Sequence, residues 1–246
     1  MNSKAVSEVL GYMLILAIVM ASISMVYLKV NSLLDSTSKM YISEGLRQSF
    51  KRILNVVAIS TYGGAPLQSI QVEMQGGSFW TGNETKINIT AGNISIEKYT
   101  GSLNYMYEGF QVTLENGAVW EKYYGYMSAV EEPRIFIHTT SAKSASYSTK
   151  VVAVVVINKF VGDMSVSGRG SVKLVFNTTS VNVTAEDVQG VMNLTVTSPF
   201  AKLWYDFFET LPGDAYLDNA TSTARLSVYV DRLVIAEYTT EVSVET

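Results

Sequence analysis

The chain has 246 residues, 48% of them hydrophobic and 16% charged, with a formal net charge of −4. That balance, without any block of Lys or Arg, argues against nucleic acid as a partner and leaves room for an apolar segment plus one sizeable core. Cysteine is absent, which excludes disulfides, thiol nucleophiles and Cys-based metal sites, so the fold must be held by its core alone.

The first element in chain order is an apolar helix. No charged residue occurs from Val9 to Leu28, and at about 1.5 Å per residue such a run reaches roughly 30 Å, the thickness of a bilayer's hydrocarbon core. A secretory signal has a shorter apolar core and then a small-residue cleavage site. Here Val30-Asn-Ser-Leu-Leu-Asp continues helically, so the segment reads as a retained membrane helix. Glu8, just before the span, reads either as an interfacial carboxylate at the helix amino terminus or as a carboxylate awaiting a cation on a neighbouring subunit. Lys4 flanks one side of the span, while Lys29, Lys39, Arg47, Lys51 and Arg52 follow on the other, so the positive-inside rule does not favour a cytoplasmic amino terminus.

Beyond the span, Leu46, Phe50, Ile53 and Val57 form an i, i+4, i+7, i+11 stripe, with Arg47, Lys51 and Arg52 on other faces. Gly63-Gly64-Ala65-Pro66 is a strong stop. The pattern predicts one helix from about Val6 to about Ser60, apolar all round at first and then amphipathic, with its second half against a folded domain.

After Pro66 the period changes to two. Predicted strands are Ser69–Met74, Lys86–Thr90, Ile94–Tyr99, Leu103–Tyr107, Gly109–Leu114, Ala118–Tyr124 and Arg134–Thr139. They continue with Lys150–Asn158, Ser171–Phe176, Val181–Thr184, Gly190–Thr197, Ala224–Tyr229 and Arg232–Val242. Glu115-Asn116-Gly117 and Tyr229-Val-Asp231-Arg232 read as hairpin turns. Val151–Ile157 reads as a central strand covered on both faces, and Thr139–Thr149 as a mobile loop. Ser198-Pro199, followed by a face of Phe200, Leu203, Trp204, Phe207, Phe208 and Leu211, predicts a short amphipathic helix with Ser198 as N-cap, laid over a sheet, a helix that docks in a partner's groove being the minor alternative. The expected fold class is therefore α+β: a long amino-terminal helix, then a mainly antiparallel, sandwich-like β-domain with one short helix.

Chemistry-bearing motifs are few. The N-x-S/T pattern occurs at Asn83, Asn88, Asn93, Asn177, Asn182, Asn193 and Asn219, all beyond the span. These are N-glycosylation candidates, which would place the domain outside the cell; the alternative is joint enrichment of Asn, Ser and Thr at turns and strand ends. His138, the single histidine, reads as structural. No catalytic or cofactor motif is present, and Glu131-Glu132 and Asp214/Asp218 read as loop carboxylates, a lone calcium site being the minor alternative. No cofactor and no enzymatic activity are expected. Tyr99, Tyr105, Tyr107, Phe110, Trp120, Tyr123, Tyr124 and Tyr126 read as cross-strand packing, an intersubunit surface or a carbohydrate platform.

Lys4-Ala5-Val6-Ser7-Glu8-Val9-Leu10-Gly11-Tyr12, running into an unbroken apolar helix, resembles the amino terminus of archaeal type IV pilin-like proteins. The resemblance is specific over residues 4–30 and reaches more weakly to Tyr107–Gly117 and to the Thr197–Phe208 segment. It implies a leader, residues 1–4, cleaved by a prepilin peptidase between Lys4 and Ala5. It also implies assembly through Glu8, Val9, Leu10, Gly11 and Tyr12, with Glu8 pairing with a neighbour's terminal amine. Glu8 would be the fourth mature residue, whereas the bacterial pattern has it fifth.

The implied organisation is leader 1–4, helix 5–60 with its membrane span at 9–30, and an extracellular β-rich domain 61–246. The implied function is a subunit of an archaeal cell-surface filament, as readily a minor or adhesive subunit as a repeated one. Its partners would be copies of itself or related subunits, the peptidase and membrane assembly machinery, membrane lipid before assembly, and N-linked glycans. The competing expectation is a monomeric membrane-anchored module that binds a ligand and never polymerises.

Overall fold

A computed structural model describes residues 3–142 and 148–245, and the side chains of residues 10–31, 33, 34, 36–139 and 150–245. The chain forms two compact units, Met1–Gly45 and Leu46–Thr246. Helix α1 runs from Ser3 to Tyr62, so the division of packing falls inside the helix rather than at its end.

Within the first unit, α1 is uncharged and predominantly apolar on every side from Leu10 to Leu28. Leu10, Tyr12, Met13, Leu14, Ile15, Leu16 and the following large side chains to Leu28 are all exposed. The Ser22 and Ser24 hydroxyls donate to the Ile18 and Met20 carbonyls, each at 2.8 Å, which satisfies them without any outside partner.

In the second unit the same helix is amphipathic, and the predicted stripe is its buried face: Leu46, Phe50, Ile53, Leu54 and Val57 are all buried. Phe50 stacks on Phe79 with centroids 5.9 Å apart, and Phe79 meets the edge of Tyr105 at 4.6 Å. Arg47 grips Glu121 with two bonds of 3.0 Å, and Lys51 pairs with Glu131 at 3.1 Å. The helix ends where Gly63 donates to the Ile59 carbonyl (2.9 Å) and Gly64 takes a φ of 70°, a conformation that favours glycine.

Among the described residues fourteen strands follow, with one further helix. They are β1 (Leu67–Glu73), β2 (Ser78–Gly82), β3 (Lys86–Ala91), β4 (Ile94–Tyr99), β5 (Ser102–Tyr107), β6 (Phe110–Glu115) and β7 (Ala118–Tyr123). Then come β8 (Tyr126–Glu131), β9 (Ile135–Ala142), β10 (Ser148–Val161), β11 (Ser165–Ser167), β12 (Ser171–Thr197), α2 (Ala201–Phe208), β13 (Asp214–Asp218) and β14 (Thr223–Glu245). One sheet is ordered β4-β3-β12-β14-β10-β9, with β1 on β12 and β13 on β14; the other is β11-β2-β5-β6-β7-β8. Pairing is antiparallel except for β10 with β14. The architecture is the expected α+β one, a long helix followed by a sandwich-like β-domain with one parallel pair among the described strands.

The second sheet is a meander whose turns fall every eight residues. Glu108-Gly109, Asn116-Gly117 and Tyr124-Gly125 all have positive φ at both positions, the requirement of a tight two-residue hairpin. The middle one is the predicted Asn-Gly turn. Its Asn116 side chain also donates to the Val156 carbonyl (3.1 Å) and accepts the Asn158 amide (2.8 Å), tying the hairpin to β10.

Several expectations are corrected. Tyr229–Arg232 is no hairpin: β14 runs straight through it, with neither Asp231 nor Arg232 at positive φ. The Asp231 carboxylate instead accepts the Val151 amide at 2.7 Å, and Arg232 pairs with Val152 across the parallel ladder. The three segments predicted between Ser171 and Thr197 are one strand, β12, interrupted by irregularities at Thr178/Ser180 and Asp187/Gly190. Val151–Ile157 lies inside the sheet but is covered on one face: Ala153, Val155 and Ile157 are buried while Val154 and Val156 are half-buried. The expected Thr139–Thr149 loop is strand at both of its ends, since β9 reaches Ala142 and β10 starts at Ser148; residues 143–147 lie outside the described residues. Helix α2 starts at Ala201, later than expected. Ser198 sits one turn before it, accepting the Phe200 amide at 3.0 Å. Strands β2, β8, β11 and β13 were not anticipated.

Between the sheets lies a core of Ile87, Ile89, Trp120, Val155, Ile157, Leu194, Val196, Leu226, Leu233 and Ile235. Helix α2 adds Leu203, Trp204, Phe207 and Phe208 to it, so its apolar face is consumed in packing over the sheet rather than offered to a partner.

Candidate functional site

The predicted assembly residues fall at the start of α1. Lys4, Ala5, Glu8 and Val9 are helical, but their side chains lie outside the described residues. Leu10 and Tyr12 are exposed at 60% and 74%, and nothing lies within 4 Å of a Cβ placed on Gly11. They open an apolar surface that is continuous to Leu28. By length and composition this helix is able to cross a membrane: its best window has mean hydropathy 2.2 and none of it is buried.

In water that surface is untenable. Each large apolar side chain gains about 1.5–3 kcal/mol on burial, so the row amounts to tens of kcal/mol, against roughly 5–15 kcal/mol for the net stability of a whole domain. Lipid or other apolar helices must cover it.

The glycosylation candidates divide by accessibility. Asn83 before β3, Asn93 between β3 and β4, Asn182 and Asn193 on β12, and Asn219 between β13 and β14 are exposed. Asn88 and Asn177 are half-buried, and the Asn88 Oδ1 is buried without a hydrogen-bond partner among the described residues. Asn193 accepts the Ser227 hydroxyl at 2.7 Å. Asp218 holds the Asn219 sequon in a turn: it accepts the amide of Ala220 (3.0 Å) and the Thr221 hydroxyl (2.8 Å). The Thr221 bond is the main reason the Asp218 carboxyl lies below its usual value.

The aromatic set does not form one platform. Tyr105, Phe110 and Trp120 are buried, whereas Tyr99, Tyr123, Tyr124 and Tyr126 are exposed, the last three at one hairpin tip. His138 is exposed on β9 and stacks on Phe136 at 6.2 Å. Among the described residues, no three His, Asp or Glu side chains are grouped so as to hold a metal.

One polar constellation gave no sequence signal. Glu115, 1% exposed, accepts four hydrogen bonds: one from β7, one from α2 and two from the connections before β3 and after β12. Its Oε1 takes the indole N–H groups of Trp120 (3.0 Å) and Trp204 (2.5 Å) and the Ser198 hydroxyl (2.8 Å), while Oε2 takes the Thr85 hydroxyl (2.5 Å). No cation is among those partners. The carboxyl is a structural tie rather than a reactive group, fastening β6 and β7 to the start of β3 and to α2.

One family model matches residues 4–245, nearly the whole chain. The chain belongs to DUF7289, a family of unknown function. The DUF7289 match takes in the apolar helix and the β-unit alike. An uncharacterized protein of Archaeoglobus fulgidus is 29% identical over 234 residues, covering 77% of this chain and 75% of its own length. No solved structure matches.

Proposed function

We propose that this DUF7289 chain is a non-enzymatic, pilin-like subunit of an archaeal cell-surface filament, held in the membrane by α1 and then assembled through it. The observation that carries the reading is the uncovered apolar surface of α1 from Leu10 to Leu28, on a helix whose later residues Leu46–Val57 are locked into a folded β-unit. A filament core of such helices buries that surface once the helix has left the lipid, by close helix–helix packing. The exposed sequons suit an extracellular β-unit, and the archaeal relative is consistent with the archaeal resemblance of residues 4–12.

Mass spectrometry of the protein from its native membrane tests this directly. Ala5 is the expected first residue, and Lys4→Ala is expected to accumulate as uncleaved precursor. A native chain that keeps Met1 in cells with a working prepilin peptidase contradicts the reading and leaves the monomeric anchored module in its place.

A further inference from the structure

Beside the Glu115 tie the second sheet opens a cleft of about 220 Å³, and we propose that it binds a single uncharged sugar ring. The proposal stands whether or not the chain polymerises, because the cleft belongs entirely to the β-unit. Its walls come from Trp80 on β2, Ser102 and Asn104 on β5, Gln111 and Thr113 on β6, and Lys122 on β7, with Glu84 at the β2–β3 connection.

The row of polar groups is costly to the fold. Asn104, Ser102 and Thr113 are 6%, 5% and 1% exposed. On the opposite face of the same two strands, Leu103, Tyr105, Val112 and Leu114 are fully buried. Apolar residues would stabilise the cleft face better than amides and hydroxyls, which must be fully hydrogen-bonded merely to break even.

These groups are wired in series. Gln111 donates to Thr113 (3.1 Å), Thr113 to Asn104 (2.8 Å), and Asn104 to Ser102 (2.9 Å). By their bonding capacity this chain leaves the second Asn104 amide hydrogen, the Ser102 hydroxyl hydrogen and the Gln111 carbonyl free to serve a ligand. Space is kept for them at Gly82, where an added Cβ would lie 2.7 Å from Ser102 Oγ and 3.0 Å from Asn104 Nδ2.

The chemistry of the lining selects the ligand class. Of the three charged groups in the lining, Glu84 and Glu115 are acidic and Lys122 basic, so an anion is not favoured. Glu115 is 1% exposed and directs its carboxylate at four neutral donors, and no three His, Asp or Glu side chains among the described residues are grouped to hold a cation. Neutral donors and acceptors beside an indole match a ring with hydroxyls on its rim and C–H groups on its face. The volume falls below the roughly 300 Å³ at which drug-sized pockets begin, which suits one ring rather than an oligosaccharide. Such a ring has two available sources, a glycan on another surface or a glycan on the exposed Asn83, next in sequence to the exposed Glu84 of the lining.

Tryptophan quenching separates the outcomes. Of the three tryptophans, Trp120 and Trp204 are fully buried, so Trp80 is the one a soluble quencher reaches. Full-length unglycosylated chain in detergent is titrated with glucose, galactose, mannose and N-acetylglucosamine, and acrylamide quenching of Trp80 is followed. One sugar should protect Trp80 saturably, with a Kd on the order of 1–10 mM for so small a ligand. Gln111→Ala should weaken that binding about five- to tenfold, the usual loss of one ligand hydrogen bond.

The glycosylated chain then identifies the source. Equal binding points to a foreign glycan; binding that appears only in the glycosylated Asn83→Gln variant points to the chain's own. No protection by any of the four sugars in a chain that still unfolds cooperatively, or an unchanged Kd in Gln111→Ala, overturns the proposal.

Discussion

Replacing Glu115 by Ala removes one acceptor from four buried donors at once. The indole N–H groups of Trp120 and Trp204 cannot turn elsewhere, because both rings are fully buried and packed edge to face at 5.8 Å. Each stranded donor costs about 1–3 kcal/mol, and the lost side-chain volume adds a cavity contribution. The Ser198 hydroxyl keeps its bond from the Phe200 amide, and that of Thr85 is free to rotate. A loss of roughly 3–6 kcal/mol follows, a large share of the ~5–15 kcal/mol typical of a domain.

The geometry also sets the Gln variant apart. Three of the four bonds converge on Oε1 and only Thr85 reaches Oε2. Glu115→Gln, with its carbonyl in the Oε1 position and its amide donating to Thr85, should therefore cost under about 1.5 kcal/mol. Urea unfolding of the full chain in detergent, followed by tryptophan fluorescence, measures both. An Ala variant within about 1 kcal/mol of the parent, or a Gln variant as unstable as the Ala one, would refute the view that neutral donors converging on Oε1 are what holds this joint.

Two further outcomes concern the β-unit. Phe50→Ala should destabilise it by about 3–5 kcal/mol, since Phe50 is fully buried on Phe79, whereas Leu16→Ala in the uncovered segment should leave urea unfolding of the β-unit unchanged. Burial raises the Tyr105 phenol above its ordinary value of 10.0. The stability linked to that phenol is complete below about pH 10 and is lost as pH rises through the raised value. Tyr105→Phe should therefore flatten the alkaline limb of a stability–pH curve, and an unchanged limb would show that another group governs it.

What could be read from the sequence was what depends on local period. The 46, 50, 53, 57 stripe, the Asn116-Gly117 turn and the apolar face of α2 each follow from spacing within one turn or one hairpin, and the structure keeps all three. The failures are non-local. Asp231-Arg232 looks like a turn because two charged residues interrupt an apolar run, yet it is kept extended by a partner strand far away in sequence. Glu115 looks like an exposed residue beside a turn. Only the approach of Thr85, Trp120, Ser198 and Trp204 from other elements makes it the centre of a joint. The cleft was equally invisible, because its polar groups meet through strand register: Asn104 lies opposite Thr113, and Gln111 opposite Lys122. The eight-residue rhythm of Gly109, Gly117 and Gly125 was legible in principle, since each glycine closes one hairpin of the meander.

The central claim is that the Leu10–Leu28 surface ends its life inside a polymer rather than in lipid. Immunogold electron microscopy of material sheared from the cell surface, with antibody against the β-unit, tests it most directly. The expected result is gold on filaments, along their length for a repeated subunit or at their tips for a minor one. Gold confined to membrane fragments, with every sheared filament unlabelled, would contradict it and make α1 a permanent anchor.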